Sequence, residues 1–195
     1  MGRKKRKGLT FYQRKKKVSV SVVKEIGSWI FTVIMAVFLA FMVTYAVGLR
    51  TNVIGVSMDP NLTNGQGILV NRLSYWFLSP KQGDVIVFLP NGNQNAHYSV
   101  KRVVAVPGQT VLIENGILYV NGKPYKEEYY DLISSPGIAE SELTLSSGEY
   151  FVMGDNCNSS EDSRSANIGP VEKSAIIGRA WFQLGNSTNG WGFVE

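Results

Sequence analysis

Scarcity does the first sorting in this sequence. A single cysteine, Cys157, excludes an intramolecular disulfide framework and every multi-cysteine metal site. A single histidine, His97, excludes histidine-rich metal centres and leaves one residue able to complete a serine–histidine mechanism. After residue 50 no stretch keeps a long 3.6-residue apolar period, which argues against a helical body. Charge is missing altogether from Ile26 to Leu49, a run of 24 residues.

The residues that are present fit these exclusions. The chain has 195 residues, 44% of them apolar, enough for one compact domain with a short appendage. Its net charge of +5 conceals an asymmetry: residues 1–25 hold ten Lys/Arg against Glu25 alone, while the remainder carries −4. Such a tail binds nucleic acid or faces a membrane from the cytoplasm, and the uncharged run directly behind it favours the membrane. At about 1.5 Å per helical residue that run reaches roughly 36 Å, enough for a hydrocarbon layer of ~30 Å. Trp29 and Tyr45 lie near its two ends, where aromatic rings favour the interface.

The expected organisation is a basic cytoplasmic tail at 1–25, a transmembrane helix at 26–49 and an extracytoplasmic domain at 50–195. A cleaved signal peptide is the competing reading, because Ala46-Val47-Gly48 has a small-x-small pattern. The length of the apolar run and of the basic region favour a retained anchor. No nucleic-acid partner is expected.

Beyond residue 50 short β-type runs alternate with turn residues, at 68–70, 85–89, 100–106, 110–113, 117–120, 150–153 and 176–184. Asn115-Gly116 and Asn121-Gly122 are hairpin signals, since a type I′ turn needs positive φ at both central residues. The fold class is therefore mainly β, an antiparallel barrel or sheet domain behind one helix. A short helical turn begins near 173–177, and 126–147 reads as an irregular surface excursion.

Three segments carry chemistry. Ser57, in Gly55-Val56-Ser57-Met58-Asp59-Pro60, is eight residues beyond Leu49 and so at most ~29 Å from the end of the span. Taken alone it is a turn serine. Lys101, within Val100-Lys101-Arg102-Val103-Val104-Ala105, shares a strand face with Val103 and Ala105, while Arg102 points to the opposite side. Taken alone it is a lysine at a sheet edge. Buried among aliphatic side chains it becomes a general base, because burial penalises the ammonium form. The third segment, Gly154-Asp155-Asn156-Cys157 through Arg164, fails as a calcium loop: its third, sixth and twelfth positions are Cys157, Ser160 and Ala166. No metal or cofactor is expected.

In order and spacing these blocks resemble the bacterial type I signal peptidases, membrane-anchored serine proteases with a Ser/Lys dyad. The resemblance runs from the span to about Leu184. It rests on Ser57-Met58-x-Pro60, Gly83-Asp84-Val85-Ile86, Lys101-Arg102-Val103-Val104 with Pro107-Gly108, Gly154-Asp155-Asn156, Ser160-x-Asp162-Ser163-Arg164 and Ile177-Gly178-Arg179-Ala180. It implies that Ser57 is the nucleophile, with its backbone N–H in the oxyanion hole, and that neutral Lys101 is the general base. It also implies that Ser160 orients the amine and that Asp155, Asp162 and Arg164 support the loop behind the dyad. Substrates would be secretory preproteins cut after small-x-small sites at the outer face of the cytoplasmic membrane, by a monomer in contact with the bilayer.

Four positions depart from the family pattern. Asn61 replaces a Thr or Ser, Cys157 replaces an Arg common in relatives, Ser99 stands for an aromatic, and Gly55 for a serine that completes the oxyanion hole in some relatives. Two other readings stay open. His97 would serve as base in a serine–histidine enzyme, and a non-catalytic paralogue would be a membrane-anchored binding module. A self-cleaving repressor also uses Ser/Lys chemistry, but it needs a DNA-binding domain where this chain has a span. The apolar run Tyr75-Trp76-Phe77-Leu78 either packs into the core or dips into the outer leaflet.

Overall fold

The structure, a computed structural model, describes residues 19–125, 132–186 and 190–194. The basic tail up to residue 18 and the 126–131 part of the expected surface excursion lie outside the described residues. The chain divides into two compact units after Phe41, and the second unit runs Met42–Glu195. Helix α1, Val20–Val47, has 28 residues and is long and apolar enough to cross a membrane. Its valine, isoleucine and phenylalanine side chains up to Val43 are exposed, Val47 is half-buried, and Ala46 in its last turn is its one buried residue. An apolar helix without protein cover is the pattern expected of a segment solvated by lipid.

The second unit is built on antiparallel sheets. Its described strands are β1 (Leu49–Asn52), β2 (Gly67–Asn71), β3 (Val85–Phe88), β4 (Ser99–Ala105), β5 (Thr110–Glu114), β6 (Ile117–Val120), β7 (Lys123–Pro124), β8 (Leu143–Thr144), β9 (Glu149–Met153), β10 (Val171–Glu172), β11 (Ile176–Gln183) and β12 (Gly192–Phe193). The larger sheet has the order β1-β2-β11-β3-β4-β9-β10, with β12 also on β11, and the smaller is β7-β6-β5-β8. Since β1 and β10 stand at opposite ends of the order, the larger assembly is an open sheet. A short helix, α2 (Ser74–Phe77), follows β2, and a 3-10 turn, Lys173–Ala175, occupies the place where the sequence suggests a helical turn.

Both faces of the central strands are covered, which explains their unbroken apolar runs. In β3, Val85 and Val87 join a core with Met58, Leu62, Ile68 and Val70, whereas Ile86 and Phe88 join another with Val103, Tyr150 and Val152. A third core packs β5 and β6 against Phe151 and Met153. The two Asn-Gly turns take positive φ at both residues, with Asn115 at 52° and Gly116 at 77°, and Asn121 at 51° and Gly122 at 70°. Leu143–Thr144 pairs with β5, so part of the 126–147 stretch is a sheet edge.

Candidate active site

Lys101 sits on β4 opposite Ile86 of β3, a register that places the two side chains on one face. A register shift between Val103 and Ala105 breaks the alternation of β4. Val103 therefore stays on the face of Lys101, but Ala105 turns with Val104 into the third core, contrary to the shared face expected from strict alternation. Lys101 is 6% exposed.

Ser57 arrives from outside the sheet, on a turn that two apolar anchors hold down. Met58 and Leu62 are fully buried, and Leu62 N–H donates to the Met58 carbonyl at 2.8 Å. The preceding Gly55 has φ of 84°, a conformation that suits a residue without Cβ, and its N–H donates to Asn64 Oδ1 at 2.9 Å. The turn and the strand bring Lys101 Nζ to 2.8 Å from Ser57 Oγ, with the amine donating, although the residues are 44 apart in sequence. Ser57 is itself only 8% exposed.

Burial is the main force on the amine and holds its pKa below the ordinary lysine value. The negative charges of Asp162, Glu161 and Asp155 work in the opposite direction. A lysine so placed loses the hydration that favours its ammonium form, while the hydroxyl beside it offers a single polar contact.

Behind the pair lies the Gly154–Arg164 loop. Asn156 N–H donates to the Ser57 carbonyl at 3.0 Å. A Cβ on Gly154 would collide with that carbonyl and with the Ser160 side chain, so the loop backbone approaches the serine turn as closely as only glycine permits. Asp155, 1% exposed, accepts from Arg102 Nε and Nη2, both at 2.8 Å. Arg102 Nη1 donates to the Gly83 carbonyl at 2.9 Å. Asp162 accepts from Arg164 Nε and Nη2, both at 2.9 Å, and from Gly154 N–H at 3.2 Å. Arg164 also donates to the carbonyls of Cys157 and Ser135.

Ser160 Oγ is buried and has no hydrogen-bond partner among the described residues. Cys157 is buried in the third core. His97 is exposed and lines a cleft of about 560 Å³ with Tyr98 and Gln94; the hydroxyl of Ser57 contacts Lys101 instead. A second cleft, of about 440 Å³, has Ser57, Lys101 and Ser99 in its lining, together with Val56 and Asn91. Ile54 borders both, so the two clefts adjoin. Of the apolar run after β2, Tyr75 packs on the core and donates to Asp84 at 3.0 Å, whereas Trp76, Phe77 and Leu78 are exposed.

Three contributors are not evident from the sequence. There Arg102 stands out only as facing away from Lys101, Asn61 only as a departure, and Gly154 only as part of a motif. An arginine beside a lysine within an otherwise apolar run is the available signal, because a buried guanidinium requires a carboxylate.

Several known proteins are similar to this chain. Residues 26–184 match the family model described as signal peptidase, peptidase S26. The chain is 36% identical to the probable signal peptidase I-1 of Synechocystis sp., covering 79% of this chain and 84% of that protein. It is 32% identical to signal peptidase IB of Staphylococcus aureus strain COL, covering 88% and 93% respectively. A solved signal peptidase I from Enterococcus faecalis V583 is 30% identical with a TM-score of 0.43, covering 52% of this chain and 97% of that one.

Proposed function

The chain belongs to the signal peptidase family, peptidase S26, and we propose on that premise that it removes N-terminal signal peptides from secretory preproteins with a Ser57/Lys101 dyad. It is a serine endopeptidase. The observation that carries the dyad is the 2.8 Å contact between two buried groups, one an amine whose pKa burial lowers.

With the amine neutral, the hydrogen bond reverses: the Ser57 hydroxyl donates to the Nζ lone pair. The proton passes to Lys101 as the Ser57 oxygen forms its bond to the scissile carbonyl carbon. The carbonyl electrons move onto oxygen, where the Ser57 backbone N–H stabilises the charge. Collapse breaks the C–N bond, and the Lys101 ammonium returns its proton to the departing amine. Water, deprotonated by the same lysine, then hydrolyses the acyl-enzyme.

The Ser160 hydroxyl, buried and without a hydrogen-bond partner among the described residues, is the group that orients the lysine amine. Asp155, Asp162 and Arg164 hold the loop against the serine turn. The preference for small side chains beside the cut would follow from shallow subsites in the cleft that Ile54, Val56, Ser57 and Lys101 line, since a larger side chain would meet packed protein. The basic tail lies on the cytoplasmic side, the apolar helix that ends at Val47 is the anchor, and the sheet domain from Leu49 onward lies outside the membrane; the enzyme acts as a monomer.

Cleavage of a model preprotein by the full chain in detergent tests this reading. Wild type should cut after a small-x-small site, whereas Ser57→Ala and Lys101→Ala should each lose at least ~1000-fold in kcat. Equal rates in all three overturn it, and an active Lys101→Ala beside a dead His97→Ala transfers the base to His97.

A further inference from the structure

The two reacting groups come from different parts of the fold, and their separation must be held by something besides their own contact. Lys101 is held by the ladder of β4. Ser57 is not in a strand, and two polar ties join its turn to the loop behind it. One is Asn156 N–H to the Ser57 carbonyl. The other is Asn61 Nδ2, which donates to Asp155 Oδ2 at 2.7 Å.

That second tie leads directly to the base. Asp155 Oδ2 also accepts from Arg102 Nη2, and Oδ1 accepts from Arg102 Nε, both at 2.8 Å. Arg102 is peptide-bonded to Lys101, and Asn61 lies one turn beyond Ser57, whose segment is closed by the bond from Leu62 N–H to the Met58 carbonyl. A continuous strut thus runs from the serine turn through Asn61, Asp155 and Arg102 to the lysine. Its middle is dry, with Arg102 3% and Asp155 1% exposed.

We propose that Asn61 is a positioning residue for proteolysis, acting through Asp155 and Arg102 to hold the Ser57 hydroxyl against the Lys101 amine. This rests on the dyad reading above. The carboxamide suits the task because it donates to a carboxylate without adding charge. An aspartate of the same shape would set two carboxylates together around a single guanidinium. Removing the amide leaves Asp155 its bidentate arginine, so the fold survives while the serine turn loses one fixed point. Displacements on the order of 1 Å cost up to about 100-fold in rate.

Asn61→Ala should lower kcat about 10–100-fold with KM within about twofold and a folded, cooperative melt. Asn61→Asp should be at least as impaired. The titration of Lys101, followed by NMR of the labelled side chain in the full chain in detergent, supplies a readout that needs no turnover. Loosening the turn admits water and should move the lysine upward toward its ordinary value in Asn61→Ala, by relieving the burial that holds it down. An unmoved titration in folded Asn61→Ala overturns the proposal, as does a kcat within twofold of wild type. A wild-type chain without turnover removes the dyad reading, while the titration still decides the role of Asn61.

Discussion

Two buried arginine–aspartate pairs flank the loop behind Ser57, alike in geometry and different in what they connect. Arg102–Asp155 joins residues 53 apart and ties a strand to a loop. Arg164–Asp162 joins residues two apart, and Arg164 also donates to the carbonyls of Cys157 and Ser135. The first sets a distance between segments, whereas the second gives one segment its shape. The same interaction has a different consequence according to the length of chain it closes.

Breaking the long-range pair should show the larger effect. Arg102→Met leaves Asp155 buried with the Asn61 amide in place of a guanidinium, and a buried pair that loses one member costs about 3–5 kcal/mol. Urea unfolding should report that loss, and preprotein cleavage should be abolished. Arg164→Met is expected to cost less, about 2–3 kcal/mol, because Asp162 keeps the N–H groups of Gly154 and residue 164. If the two variants prove equally destabilised, the distinction between joining and shaping fails.

Lys101→Met sharpens the contrast from the other side, since it removes a buried amine whose hydrogen bond goes to a hydroxyl and not to a carboxylate. Activity should vanish, yet the melting temperature at neutral pH should equal or exceed that of wild type. The folded-state lysine lies below its unfolded value, so between those two values the unfolded chain binds a proton that the folded chain does not. Wild-type stability therefore rises with pH across that window, and a pH series of melts on Lys101→Met should lack this rise. Cleavage by wild type should likewise increase as pH rises through the lowered lysine value. The smallest effect belongs to Arg179→Ala: its side chain is 46% exposed in the pair with Asp84, and a change of about 1 kcal/mol or less is expected.

Much of this is legible locally. The Asn-Gly hairpins come from sterics within two residues, and runs such as 85–89 appear where both faces of a strand are covered. Strands of two residues, such as β8 and β10, carry too little pattern to be seen in advance. The shift in β4 is also invisible, because strict alternation has no way to announce an extra residue. Ser57 and Lys101 are picked out by the blocks around them. Nothing local anticipates that Ser160 Oγ has no partner among the described residues or that Asn61 reaches Asp155. Both belong to the packing of the loop against the serine turn, where a Cβ at Gly154 would meet the Ser57 carbonyl and the Ser160 side chain.

Composition, spacing and local sterics are thus enough to establish an uncharged run long enough for a bilayer, the hairpins, the β character of the chain after it, and the residue types present at the site. They do not bring a lysine and a serine 44 residues apart to within 2.8 Å of one another, nor do they bury the lysine. Those two properties come from the packed fold. Desolvation and side-chain separation depend on what the rest of the chain packs around a residue, so no local pattern can specify them.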